Sequence, residues 1–502
     1  LSGLTTNQIK QLTSTQMAGL TAAQLGKLSS AQINALDDVD LQQLSTSQIA
    51  ALNANALAGA TTGKITAIGT NQIAGLTASQ IRAMTTAQVK ALSSSQFTQL
   101  NATQLAALSS TQISVIDTED LSNLNSSQLG SINPTQIAGL TTTQLNTLSS
   151  DQMAGLIVDQ LNKFTSSQIN ALTTQNLNQL TSRQITFLAA GQIAGVTTTQ
   201  IAALSTSQVA ALNGDQIRAL TTNQIGSLST AQISALTPGQ TIILSASQLN
   251  AIASDRFLAL TTTQLAAINP SAIASLETSR IAGLTSSQIG VLTNAEIAAL
   301  STDQLNSLKT STLANLTTGQ IGALTNAQVA SISTTNIRSL SSAQIGALKE
   351  AQISTLTTDQ VQALTTSQLP GLTTGQVAKL SAGQLQAITT SNLTSITTTQ
   401  IAALTDAQVS NLTTDQVVAL STTQVPAMTT AQVSKLGTSQ IAALETQDLV
   451  KMTTTQIAAL TTAQVQALTT TQVTNLTTDQ TTALTGTQIG KLTTDQVVAL
   501  TG

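Results

Sequence analysis

The sequence predicts an all-α solenoid of very short helices, one per eight-residue repeat, and three observations point there. A large apolar residue returns at every eighth position from Leu4 to Leu500 without a slip, which makes 62 complete octads over residues 4–499. A second apolar column runs five residues behind the first, at Ile9, Met17, Leu25, Ile33 and onward. Charge is sorted within the repeat: all 21 acidic residues lie at octad positions two to five, and 11 of the 17 basic residues lie at positions seven or eight. A helix favours anions at its start and cations at its end, so the sorting writes a helix polarity into each octad.

Position one is the marker. Among its 63 occurrences only Ala60 is not Leu, Ile, Val, Met or Phe. Position two is mostly Thr, Ser or Asn, and position five is Gln in 49 of 62 octads. That spacing is a capping box, in which the Ser/Thr at the N-cap and the Gln at the third helical residue exchange hydrogen bonds with each other's backbone. Positions one and six then become the residue before the cap and the fourth helical residue, the two partners of a hydrophobic staple. Pro134, Pro238 and Pro270 fall at position three, the first helical residue, where a missing N–H costs nothing. Pro370 and Pro426 fall at position seven and are local misfits for a helix. Position six is apolar except at Thr241 and Thr481. Positions seven and eight are mostly Ala, Gly, Ser or Asn, small enough for neighbouring turns to approach closely.

One continuous helix fails on geometry. At about 100° per residue an octad advances about 800°, so the apolar pair drifts about 80° around the axis per repeat. The alternative is a β-solenoid with eight residues per face. It puts positions one and six on opposite faces of a strand unless each octad bends, and Gln, Ala and the acids form strands poorly. A helix of five or six residues is too short to stand alone, so the octads must stack. The pattern places Leu and Ile inside the stack and Thr, Ser, Gln and Asn outside. No linker, charge block or loss of period divides the chain, which predicts a single continuous domain over residues 1–502. Both ends cut the octad in mid-pattern, as in a segment of a longer chain or fibre.

The 502 residues include no Trp, Tyr, His or Cys, and 17 Lys+Arg against 21 Asp+Glu give a net charge of −4. The missing types are the commonest general base, the thiolate nucleophile, the soft-metal ligands and the stacking platforms. No basic patch exists to meet a phosphate backbone. The expectation is therefore no enzyme: no catalytic, cofactor-binding or metal-binding residues, no cofactor, no nucleic-acid partner and no small-molecule ligand. No run approaches 18 apolar residues, so no membrane-spanning segment is expected.

Three groups of residues stand out from the pattern. Asp37, Asp38 and Asp40, with Asp117, Glu119 and Asp120, suggest a cation loop, but the longer ligand run with a turn Gly and a distal Glu is missing. Dipole-matched capping is the simpler reading. Six cations lie off the charge pattern, Lys64, Arg183, Arg256, Arg280, Lys309 and Lys349, and read as solvated residues or as marks of a partner surface. The five Met and three of the four Phe occupy the apolar columns and read as core; Phe187, at position eight, fills a gap or meets a neighbouring chain.

Leu412-Thr413-Thr414-Asp415-Gln416-Val417-Val418-Ala419-Leu420, repeated at Leu492 to Leu500, resembles the helix-opening segment of TAL-effector DNA-binding repeats. The likeness covers nine residues of a much longer unit and lacks the base-reading loop, so DNA binding is not carried over. Over its whole length the chain resembles the octad tracts of very large, repetitive bacterial surface proteins labelled adhesins or haem-utilisation proteins. That resemblance implies an extracellular or cell-surface location and a structural or adhesive role. Haem gains no support without His, Cys or Tyr. The functional expectation is a structural repeat protein that self-associates, forming or decorating an extracellular filament, sheath or cell-surface layer. The alternative is a Thr-array module for ice or polysaccharide.

Overall fold

Each octad starts its own helix because its second residue is held extended while its third to sixth residues close a turn. In the octad that opens at Leu76, Thr77 has φ −76° and ψ 156°, and the helix runs Ala78–Ala83. Met84 then returns to an extended conformation at φ −55°, ψ 140°. Two extended residues, positions one and two, thus turn the chain between successive helices. No residue needs a left-handed conformation for this, and none of the described residues has positive φ or a cis peptide bond. The repeat can consequently dispense with a glycine at its helix ends.

The computed structural model describes residues 1–501. Among them the elements are short α-helices, mostly of four to six residues, with two 3₁₀ turns and no strand. The chain falls into two compact units, residues 1–259 and a second from Leu260 onward. Each is a solenoid of the kind the octad predicts, with most helices packed against the third element before or after them in the same unit. The β-solenoid alternative is set aside by this helical architecture.

The local expectations hold at most octads. Capping boxes recur throughout, for example at Thr77 with Gln80 and at Ser205 with Gln208. Pro134, Pro238 and Pro270 each occupy the first turn of a helix. Pro370 and Pro426 end α-helix formation locally, leaving the 3₁₀ turns Leu369–Gly371 and Val425–Ala427. Both apolar columns are buried almost without exception. At position six Thr241 is fully buried because its hydroxyl donates to the Thr237 carbonyl four residues back, at 3.0 Å.

Positions seven and eight lie where turns meet. A Cβ on Gly75 would sit 2.5 Å from the Thr46 carbonyl oxygen, 29 residues upstream. From position seven, Asn146 donates to the Ala171 carbonyl at 2.8 Å and Gln386 to the Asn411 carbonyl at 2.7 Å, each 25 residues downstream. One layer of the solenoid therefore closes after about three to four octads.

Candidate functional site

The outer-face assignment of Gln needs correction. Position five faces the neighbouring turn, and most of its glutamines are buried. Gln80 shows the arrangement. Its Oε1 accepts the Thr77 N–H at 2.7 Å, while its Nε2 donates to the carbonyls of Ile49 and Leu52 at 2.8 Å each. Those carbonyls belong to octad positions six and one, 31 and 28 residues upstream. One amide thus caps its own helix and satisfies the open C-terminal end of a helix in the previous turn, leaving none of its polar atoms unmatched. Gln144, Gln216, Gln328, Gln408 and Gln464 repeat it. Gln8, Gln16 and Gln24, with no turn upstream of them, make the capping bond but remain exposed. Burial of the column is a product of stacking, and the cap is a product of the octad.

The thirteen octads without Gln at position five show what the slot accepts. Lys64 and Arg256, two of the off-pattern cations, act as substitute donors. The Lys64 ammonium bonds the Leu36 carbonyl, 28 residues upstream, and pairs with Asp38 at 2.6 Å. Arg256 Nη1 donates to the carbonyls of Gly226 and Leu228 at 2.9 Å each. Arg280 is 6% exposed and lies 3.8 Å from Glu277. All three are drawn into the stack, contrary to the solvated reading, and for Lys64 and Arg256 the reason is that the slot presents carbonyl oxygens. Arg183, Lys309 and Lys349 are exposed. Asn is one methylene too short to bridge both carbonyls. Asn176 reaches only Leu145, at 3.1 Å, and Asn392 only Leu364, at 2.7 Å.

Acids at position five have no donor to offer. Asp40 and Asp120 accept the hydroxyls of Ser14 and Ser94, 26 residues upstream, at 2.6 Å each. Glu296 keeps the reach to accept the Thr293 N–H at 2.5 Å. Asp448, 1% exposed, has no hydrogen-bond partner at Oδ1. Burial, with Glu445 close by, pushes its pKa up to about 6. Burial also raises the pKa values of Asp120 and Glu296, opposed in each case by the hydrogen bonds just described. The capping reading of the acidic clusters is corrected in part. Asp37 and Asp117 stand at N-cap positions but make no side-chain cap bond, while Asp38 pairs with Lys64 and Asp40 and Asp120 enter the column.

Among the described residues no group of three or more acidic side chains is placed to hold a metal ion, and no helix is long and apolar enough to cross a membrane. The position-two hydroxyls that a Thr array would present are engaged as N-caps, and no strand ladder carries them. Phe187 is 51% exposed on its helix Ser182–Phe187 and fills no gap in the core.

The ALTTAQ repeat matches residues 65–102, 113–150, 121–158, 185–222, 215–246, 297–334, 326–358, 377–414, 414–446 and 441–478, together more than half of the chain. Its hexapeptide stands at Ala459-Leu460-Thr461-Thr462-Ala463-Gln464, which spans the end of one octad and the cap-to-column stretch of the next. No curated protein matches the chain. Two solved structures align weakly with it. APUM23–GGAAUUGACGG is 11% identical over 99% of this chain and 92% of its own, with a TM-score of 0.14. APUM23–GGAGUUGACGG is 11% identical over 90% and 94%, with a TM-score of 0.16. Similarity at that level supports no conclusion about fold or partner.

Proposed function

We propose that this chain, which belongs to the ALTTAQ repeat family, is a structural scaffold at or outside the cell surface, where it forms or decorates a filament, sheath or surface layer and contributes to adhesion. The observation that carries the reading is the glutamine column. Turn is joined to turn by neutral amide-to-carbonyl bonds inside the stack, as at Gln80 and Gln216. Such bonds are far less sensitive to salt than exposed ion pairs, which suits a protein in contact with a variable medium. The low charge of the outer face, 8% charged residues overall, favours close lateral packing of like surfaces. Self-association is the partnership in this reading; it involves no reaction, no cofactor and no nucleic acid.

Immunogold labelling of intact cells, with negative-stain imaging of the purified chain across a concentration series, tests the proposal. The expected result is label on the outer surface and ordered assemblies at high concentration. Label confined to the cell interior would overturn the location, and monodisperse particles at every concentration would overturn the assembly.

A further inference from the structure

Between successive turns of the second unit lies an open groove of about 870 Å³, lined by Arg338, Asp359, Gln362, Thr365, Ser391 and Asn392 among others. Asn392, at column position five, stands on its wall. A Gln there would reach both upstream carbonyls, as Gln384 reaches Ile353 and Leu356 at 3.0 and 2.7 Å. Asn392 bonds only Leu364 and is half-buried, so its amide is held on one carbonyl and borders the groove.

The lining has a particular chemistry. Arg338, Asp359 and Gln362 are exposed, and among the described residues no hydrogen bond or ion pair uses their side chains. Thr365 and Ser391 add hydroxyls that pair only with neighbours two residues away, Ser367 and Thr389, and, for Thr365, with the Gln368 side chain. Donors and acceptors are therefore mixed over one concave surface. A single guanidinium beside a single carboxylate leaves no net charge to select an anion, and no aromatic ring is available to stack a base. Alternating hydroxyl, amide and charged groups match the hydroxyls of a neutral sugar, each of which both donates and accepts.

We infer that this groove binds a neutral saccharide, which gives the adhesive part of the proposed function a defined contact and rests on that reading. The expectation of no small-molecule ligand is revised accordingly at this one place. The column supplies an unusual test variant. Asn392→Gln should draw the amide onto both upstream carbonyls, as in Gln384, and so take it out of the lining while strengthening the fold.

Saturation-transfer NMR and calorimetry with chitotriose, cellotriose and maltotriose, against inorganic phosphate, are the measurements. At least one trisaccharide is expected to bind the intact chain and phosphate is not. Asn392→Gln should weaken binding at least about tenfold with no loss of thermal stability, and Arg338→Ala about tenfold, on the scale of one or two lost hydrogen bonds. Asn176→Gln, at a column position in the first unit and away from the groove, serves as the control and should bind as the parent does. No saturation by any trisaccharide at tens of millimolar, or unchanged binding by Asn392→Gln, would overturn the assignment. Surface labelling with no saccharide binding sinks the groove alone, whereas saccharide binding by a chain found only inside cells sinks the surface reading and leaves the groove standing.

Discussion

Gln216 and Asp448 occupy the same octad position, are equally buried, and fare very differently. Gln216 is 0% exposed, and its amide accepts the Asn213 N–H at 2.8 Å and donates to Ile185 and Leu188 at 2.7 Å each. Asp448, at 1% exposed, leaves Oδ1 without a partner, and its octad has no side-chain cap bond at Glu445. Burial at position five is imposed by the neighbouring turn whatever residue stands there. Whether that burial joins the turns depends on two properties of the side chain: a donor for the upstream carbonyls, and the length to span from them to its own cap. Gln has both, Lys64 and Arg256 have the donor, Glu296 has the length, and Asp448 has neither.

The largest effect should come from turning the first region into the second. Gln216→Glu keeps the length but places a carboxylate against the Ile185 and Leu188 carbonyls. A buried, unmatched charge should lower local stability by about 3–5 kcal/mol at neutral pH. Native-state hydrogen exchange of the segments around residues 185–188 and 213–219 reads it as lost protection, and unchanged protection would refute the role given to the column. In an array of this kind the damage should stay near the substituted layer, because each repeat is stabilised by its neighbours alone.

The converse change is expected to be smaller. Folding raises the Asp448 pKa from about 3.8 to about 6, so the folded state holds the proton more tightly than the unfolded one. The stability linked to this proton is fully present below the unfolded value and is lost as pH rises through about 6. Exchange protection around residues 445–449 should therefore increase as pH is lowered from 7 to 4, after correction for the intrinsic exchange rate. Asp448→Gln should add about 2–3 kcal/mol at pH 7 and flatten that dependence. A variant with the parent's pH profile would show that the carboxyl is not the group responsible.

The smallest effect separates donor from charge. Lys64→Gln replaces an ammonium on the Leu36 carbonyl with an amide of the standard kind and should change stability by no more than about 0.5–1 kcal/mol, whereas Lys64→Leu should cost about 1–2 kcal/mol by leaving the carbonyl unmatched. Thermal denaturation and local exchange at residues 33–38 distinguish the two. Equal losses in both variants would assign the effect to the ion pair with Asp38.

Much of this architecture is visible in eight residues. The Thr77-to-Gln80 capping box, the first-turn prolines at Pro134, Pro238 and Pro270, and the helix break at Pro370 were all legible because each depends on contacts within one octad. The groove was not legible, because Arg338, Asp359, Thr365 and Ser391 share a lining only once successive turns are stacked.

What the sequence alone determined is where every helix starts, which way its charges are sorted and which two columns turn inward, since caps, dipoles and staples act over a few residues. What only the tertiary structure decided is how many octads make a turn, and hence that position five meets carbonyls 28 and 31 residues back. That number is set by how helix packs on helix across the layers. The octad period is compatible with more than one such packing, so glutamines that read as surface polar residues become the inner seam of the stack.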